Sequence, residues 1–146
     1  MDRDELLQRE TDGWAGLEAA YTRVPAERRG EEGVVPRWSV KDLVWHCAKW
    51  AEYTGGNLEA MAAGTYAEEH HDDAYWDAMN ADIAAQSKVR TWDEVIGAAA
   101  EMRERARAAL MALSSVTDEA AEDFSDETFE HYEEHAAEIA AFADRL

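Results

Sequence analysis

Residues 38–61 read WSVKDLVWHCAKWAEYTGGNLEAM and predict a long helix, the second of the chain. Ser39 can cap its first turn, and Asp42, three residues later, can complete an arrangement like a capping box. Apolar residues then recur every three or four positions, which is typical of a helix with one buried face. We predict that this helix runs from Val40 to Ala62 and carries His46 on its buried face.

The same periodicity on either side of this stretch predicts three more long helices and one short one. The long helices are predicted over 2–23 and 92–113 and from Asp126 to the end, and the short one over 72–86. Residues 114–125 are polar and acidic, and we expect them to form a connection. No segment alternates apolar and polar residues as a half-buried strand would. We therefore expect an all-α fold, a four-helix bundle with an extra short helix, in a single domain over residues 1–146.

The charge of the chain excludes two classes of partner. Asp and Glu total 33 against 14 Lys and Arg, which gives a formal net charge of −19. A protein that binds the phosphate backbone of a nucleic acid needs a basic surface, and none is available here. An anionic membrane surface would repel the protein for the same reason. We expect a small-molecule substrate as partner, and neither a nucleic acid nor a membrane. The residual apolar surface positions would permit a homodimer.

Cysteine content and hydropathy indicate a location. The single cysteine, Cys47, excludes an intramolecular disulfide and suits a reducing compartment. The first ten residues are charged and polar, unlike a secretory signal. No apolar run approaches the roughly 18 residues that a membrane-spanning helix needs. We expect a cytoplasmic protein.

Three histidines fall on predicted buried faces and could share a metal ion. His131 and His135 are four residues apart, so both imidazoles project from one side of the last helix about one turn apart. With His46 from a facing helix they would form a three-histidine site, which leaves a coordination position open for water or substrate. The alternative is that all three are hydrogen-bonded core residues of a bundle that acts through protein contacts.

A carboxylate interrupts the apolar face of the first helix. Glu10 lies at a position where an apolar residue would be expected. It is a candidate catalytic residue, either as a partner that orients an imidazole or as an acid or base on the substrate side. The alternative is a carboxylate that reaches solvent at the edge of the bundle. The charged residues over 101–107 are interpreted as a solvated helix face with weak ion pairs.

Two segments resemble a known superfamily. The stretch from Trp38 to His46 resembles the W-S/T-V-x-D-h-h-x-H signature of the DinB/YfiT-like superfamily, where h is an apolar residue. The stretch from Thr128 to His135 resembles its closing H-x-x-x-H helix. Within this superfamily the chain resembles the N-terminal domain of mycothiol-dependent maleylpyruvate isomerase and the ClbS/DfsB four-helix-bundle proteins. The resemblance covers nearly the whole chain.

The resemblance implies a metal-binding bundle with His46, His131 and His135 as ligands. Zn²⁺ is the default ion for such a set, and Ni²⁺ and Fe²⁺ are alternatives. The open position could hold a low-molecular-weight thiol as thiolate, which implies mycothiol-type transferase or isomerase chemistry on a small electrophilic metabolite. The alternatives are a ClbS/DfsB-like self-resistance protein that binds or hydrolyses a reactive small molecule, and a bundle without catalytic activity.

Overall fold

The computed structural model describes all 146 residues, Met1 to Leu146, and confirms the all-α prediction. It contains six α-helices, a 3₁₀ turn at Ala26–Arg28 and no β-strand. The helices are α1 (Arg3–Thr22), α2 (Val40–Ala63), α3 (Asp73–Lys88), α4 (Trp92–Ala112), α5 (Asp118–Glu127) and α6 (Phe129–Asp144). None of them combines the length and the apolar character needed to cross a bilayer.

The first turn of α2 is fixed by the predicted capping box. The hydroxyl of Ser39 accepts a hydrogen bond from the backbone N–H of Asp42 at 3.1 Å, and the Asp42 carboxylate accepts one from the N–H of Ser39 at 2.9 Å. Lys88 of α3 forms an ion pair with the same carboxylate. These bonds fix where α2 begins and therefore which face of the helix carries His46.

Helices α1, α2, α4 and α6 form the bundle as two closely packed pairs. Helix α2 packs mainly on α4, and α1 packs mainly on α6, while α3 and α5 flank α2. Gly13 allows the close approach within the second pair, because a Cβ atom at this position would lie 2.9 Å from the Cβ of Phe129. All six helices contribute to one hydrophobic core between the pairs.

The prediction of a connection over 114–125 was wrong, because this segment contains most of α5. The hydroxyl of Thr117 caps the helix by accepting a hydrogen bond from the N–H of Ala120 at 3.1 Å. Two of the four acidic residues that suggested a loop, Asp118 and Glu119, lie in the first turn, where negative charge favours a helix start. Ala120 and Phe124, four residues apart, supply the buried face. A narrow apolar stripe was sufficient for a helix.

The last predicted helix begins three residues later than expected and is separated from α5 by a break. At Thr128 the backbone leaves the helical region, with φ −115° and ψ −100°. Its hydroxyl donates to the carbonyl oxygen of Phe124 at 2.6 Å, so the break is buried and hydrogen-bonded. Helix α6 therefore takes a direction independent of α5, and this direction places His131 and His135 against α2.

Candidate metal centre

Three imidazoles converge where α6 faces α2. His46 comes from α2, and His131 and His135 come from successive turns of α6. The ring centre of His46 lies 4.6 Å from that of His131 and 5.0 Å from that of His135, and the two α6 rings are 5.0 Å apart. One nitrogen from each ring lies within 4.8 Å of the other two. The predicted three-histidine cluster is therefore present in the fold.

The hydrogen bonds of the cluster leave buried nitrogens without partners. Nε2 of His46 and Nε2 of His131 are 2.9 Å apart, which requires one shared proton. Nδ1 of both rings and Nε2 of His135 are buried and make no hydrogen bond. Buried polar atoms without partners are costly and uncommon in folded proteins. A divalent ion that replaces the shared proton fits this donor set, because imidazole nitrogen is a preferred ligand of Zn²⁺, Ni²⁺ and Fe²⁺.

Burial keeps two of the imidazoles uncharged. Burial is the largest cause that lowers the pKa of His46 to about 2, and the neighbouring imidazoles add to it. Burial and the nearby His135 lower the pKa of His131 to about 4. Both rings are therefore neutral at pH 7. This is the state in which a nitrogen lone pair is available to a metal ion.

Two tryptophans lie beside the cluster. The ring of Trp38 contacts His46 edge to face at a centroid distance of 5.1 Å. Trp50 lies 6.3 Å from the ring centre of His46 and 6.2 Å from that of His131. These side chains exclude water from two sides of the cluster, which strengthens electrostatic interactions within it.

Trp38 is positioned by a tight turn. Its backbone N–H donates to the carbonyl oxygen of Val35 at 2.9 Å, and Arg37, between them, has φ +72°. A residue other than glycine in this left-handed region is strained by its Cβ atom. The strain is retained at the turn that places an indole against a candidate ligand.

A carboxylate on α6, rather than Glu10, contacts the cluster. Oε1 of Glu138 lies 2.7 Å from Nδ1 of His135. When the neutral ring of His135 donates its Nδ1–H to this carboxylate, its Nε2 carries no proton. The contact thus fixes the orientation of the ring and leaves the lone pair of Nε2 available to a metal ion. The sequence analysis missed Glu138, although its position three residues after His135 on the same helix face was a usable signal.

Glu10 lies elsewhere, in a buried ion pair between α1 and α4. Its carboxylate is fully buried and accepts hydrogen bonds from Nε and Nη2 of Arg103 at 2.8 and 2.9 Å. Nη1 of Arg107 adds a third at 3.1 Å. The structure brings the three imidazoles together and does not bring Glu10 to them. The interpretation of residues 101–107 as a solvated face was wrong for both arginines, which point inward to this carboxylate.

Other side chains of metal-binding types lie outside the cluster. Cys47 is fully buried, and burial raises the pKa of its thiol. His71 stacks on Tyr75 at a centroid distance of 3.6 Å, in the segment before α3. Neither belongs to the group of side chains that could share an ion.

The contact between Glu138 and His135 predicts a change in metal affinity. We expect Glu138→Ala to weaken Zn²⁺ binding by about 10- to 100-fold, because the ring loses the partner that holds its tautomer and orientation. Competition with a chromophoric chelator measures the affinity. Glu134→Ala, an exposed carboxylate one turn earlier on the same helix, is the matched control. Equal losses in the two variants would contradict the assignment.

Comparison with known proteins gives one match. A sequence model of the DinB superfamily matches residues 11–143, a range that includes all three clustered histidines. No curated protein and no solved structure matches the chain.

Proposed function

This chain belongs to the DinB superfamily, and on that basis we propose that it is a metal-dependent enzyme acting on a small electrophilic metabolite. The observation that carries the proposal is the convergence of three imidazoles with unpartnered nitrogens on facing helices. Membership of the superfamily and the cluster both support a metal-binding helical protein.

The ion would be held by His46, His131 and His135. Zn²⁺ is the first choice for three imidazole nitrogens, with Ni²⁺ and Fe²⁺ as alternatives. When bound, such an ion supplies positive charge that lowers the pKa of a coordinated thiol or water and holds the resulting anion. Glu138 fixes the tautomer of His135, and Trp50 excludes water from one side of the cluster.

A thiol nucleophile would have to come from outside the chain. Cys47 is the only cysteine; it is fully buried, and burial raises the pKa of its thiol, so it is neither accessible nor ionised at neutral pH. We propose that a low-molecular-weight thiol of the mycothiol type occupies the open coordination position. The proposed reaction is therefore thiol transfer or thiol-dependent isomerisation. Because the chain has a single cysteine, which is buried, we also propose a cytoplasmic location.

Metal content tests the proposal first. Protein purified without a chelator or a histidine tag is expected to contain close to one equivalent of Zn²⁺, Ni²⁺ or Fe²⁺ by elemental analysis. A ratio near zero that persists after these ions are added would overturn the proposal.

A second step tests the thiol. Protein loaded with Co²⁺ should gain a near-ultraviolet absorption band when a small thiol such as cysteine is added. A Cys47→Ala variant should show the same band, because the ligand is the added thiol. A Co²⁺ protein whose spectrum does not respond to thiols would exclude the thiol reaction while leaving the metal site intact.

A further inference from the structure

A second feature of the molecule is a cavity next to the histidine cluster. It has a volume of about 220 Å³ and lies between α2, α3, α5 and the segment that joins α2 to α3. Its lining includes Trp50, Tyr53, Tyr66, Trp76, Asp123 and Glu127. Trp50 also contacts the rings of His46 and His131. One indole is therefore shared by the cavity and the candidate metal centre.

The rings of Trp50, Tyr53 and Trp76 form three walls of the cavity and stand at large angles to one another. Trp50 and Tyr53 have centroids 5.0 Å apart and an interplanar angle of 69°, and Trp50 and Trp76 are 5.9 Å apart at 51°. Tyr53 and Trp76 are 6.4 Å apart and nearly perpendicular, at 87°. The face of an aromatic ring is negative, and several rings at different angles form a cage that attracts a weakly hydrated cation.

Carboxylates complete the lining, and no lysine or arginine faces them there. Asp123 accepts hydrogen bonds from the hydroxyl of Thr54 at 2.6 Å and from the amide of Asn57 at 3.3 Å. Burial, followed by Asp123 and Asp126, raises the pKa of Glu127 to about 8. Asp123 and Glu127 are half-buried, and carboxylates that are largely removed from water normally have a cationic partner.

The carboxylates of the cavity lack the cationic partners that Glu10 has. Glu10 is fully buried, and the chain supplies two arginines to it. Asp123 and Glu127 receive no such partner from the chain. A positively charged group of a bound ligand would act as the cationic partner of these carboxylates.

We propose that this cavity binds a small organic ammonium group. The aromatic walls favour an organic cation over a metal ion, because metal ions of this kind require several oxygen or nitrogen ligands in place of ring faces. The shared Trp50 places the bound group next to the histidine cluster. The further step, that this group belongs to the substrate of the metal centre, rests on the proposed function, whereas the binding of the cation does not.

Choline and its uncharged carbon isostere, 3,3-dimethyl-1-butanol, test the binding directly. The two probes have nearly the same shape, so their difference in affinity measures the contribution of the charge. By isothermal titration calorimetry at constant ionic strength, we expect choline to bind at least about tenfold more tightly. NaCl at the same concentration as choline should not compete. Equal binding of the two probes, or no binding of choline, would overturn the proposal.

Substitutions in the lining test where the probe binds. Trp76→Leu removes one wall and is expected to weaken choline binding by about tenfold, while Trp76→Phe keeps an aromatic face and should retain most of it. At pH 9, above the pKa of about 8, Glu127 is ionised, and Glu127→Gln should weaken choline binding about threefold or more through loss of the charge. Glu101→Gln, an exposed carboxylate of α4 outside the lining, is the control. If Trp76→Leu folds by circular dichroism and binds choline as wild type does, the cavity is not the site.

The same measurements separate this inference from the proposed function. Metal-free wild-type protein and a His135→Ala variant should both bind choline, because the aromatic cage and the carboxylates do not include the imidazoles. Trp76→Leu and Glu127→Gln should keep the metal content of the wild type. Loss of choline binding on removal of the metal would contradict an independent cation site. If the protein binds no metal at all but still binds choline, the proposed function fails and the cation site is retained.

Discussion

His131→Ala should contain less than about a tenth of an equivalent of Zn²⁺ under conditions in which the wild type binds one. The variant retains only one imidazole on each of the two facing helices, and Nε2 of His46 loses its partner at 2.9 Å. Loss of a partner that only orients a ligand costs about 10- to 100-fold in affinity, and loss of a ligand itself costs more. Elemental analysis after dialysis against a defined Zn²⁺ buffer gives the ratio.

Matched histidine substitutions make this result specific. His70→Ala and His71→Ala remove imidazoles from the segment before α3, outside the cluster, and should keep the full metal content. A ligand that binds only the folded state adds about 2.7 kcal/mol of stability at a hundredfold excess over its Kd. Zn²⁺ should therefore raise the melting temperature of the wild type and of both controls but not that of His131→Ala. Full metal content in His131→Ala would remove this residue from the ligand set.

Glu10→Ala should lower the free energy of unfolding by about 3–5 kcal/mol. The substitution leaves the half-buried guanidinium groups of Arg103 and Arg107 without the carboxylate that accepts three of their hydrogen bonds. An uncompensated buried charge is among the most destabilising changes in a folded protein. Urea denaturation followed by circular dichroism measures the loss.

Glu59→Ala is the matched control, because this carboxylate also pairs with an α4 arginine. Glu59 and Arg105 lie 3.0 Å apart, but their side chains are 45% and 50% exposed. Water screens such a pair, so the change in the free energy of unfolding should stay below about 1 kcal/mol. If Glu10→Ala and Glu59→Ala lose the same small amount of stability, the burial of the Glu10 ion pair does not make its loss more destabilising, and the prediction is wrong.

A combined substitution separates the unpaired charges from the lost packing. Replacing all three charged residues by apolar ones of similar size, as Glu10→Leu with Arg103→Met and Arg107→Met, should recover much of the stability lost in Glu10→Ala. The recovery would come from removal of the unpaired cations. A triple variant that is less stable than Glu10→Ala would show that the loss comes from packing.

Local signals in the sequence were sufficient to predict the histidine cluster. The capping box at Ser39 fixes the start of α2 and with it the face that carries His46. His131 and His135 needed only the four-residue spacing of one helix. The family resemblance added that these two helices face each other. The cluster could therefore be predicted from patterns of fewer than ten residues.

Features that depend on contacts between distant segments could not be predicted. The partners of Glu10 lie more than ninety residues away on another helix, and no local pattern distinguishes an arginine that points inward from one that points to solvent. Helix α5 was missed because its apolar stripe is narrow and its many acidic residues suggest a loop, although two of them, Asp118 and Glu119, occupy a first turn that favours negative charge. The aromatic cavity joins three helices and a loop and has no sequence signature.

The position of the ligands between two helix pairs bears on how the bundle opens. His46 belongs to the pair formed by α2 and α4, and the other two imidazoles belong to the pair formed by α1 and α6. Proteins open locally in cooperative units, and a closely packed helix pair can act as such a unit. An ion held across this boundary joins the two units, so neither can unfold without releasing it. Amide hydrogens in both pairs would then exchange with solvent only in a shared, rarer opening, and the ion would make the unfolding of the whole bundle more cooperative.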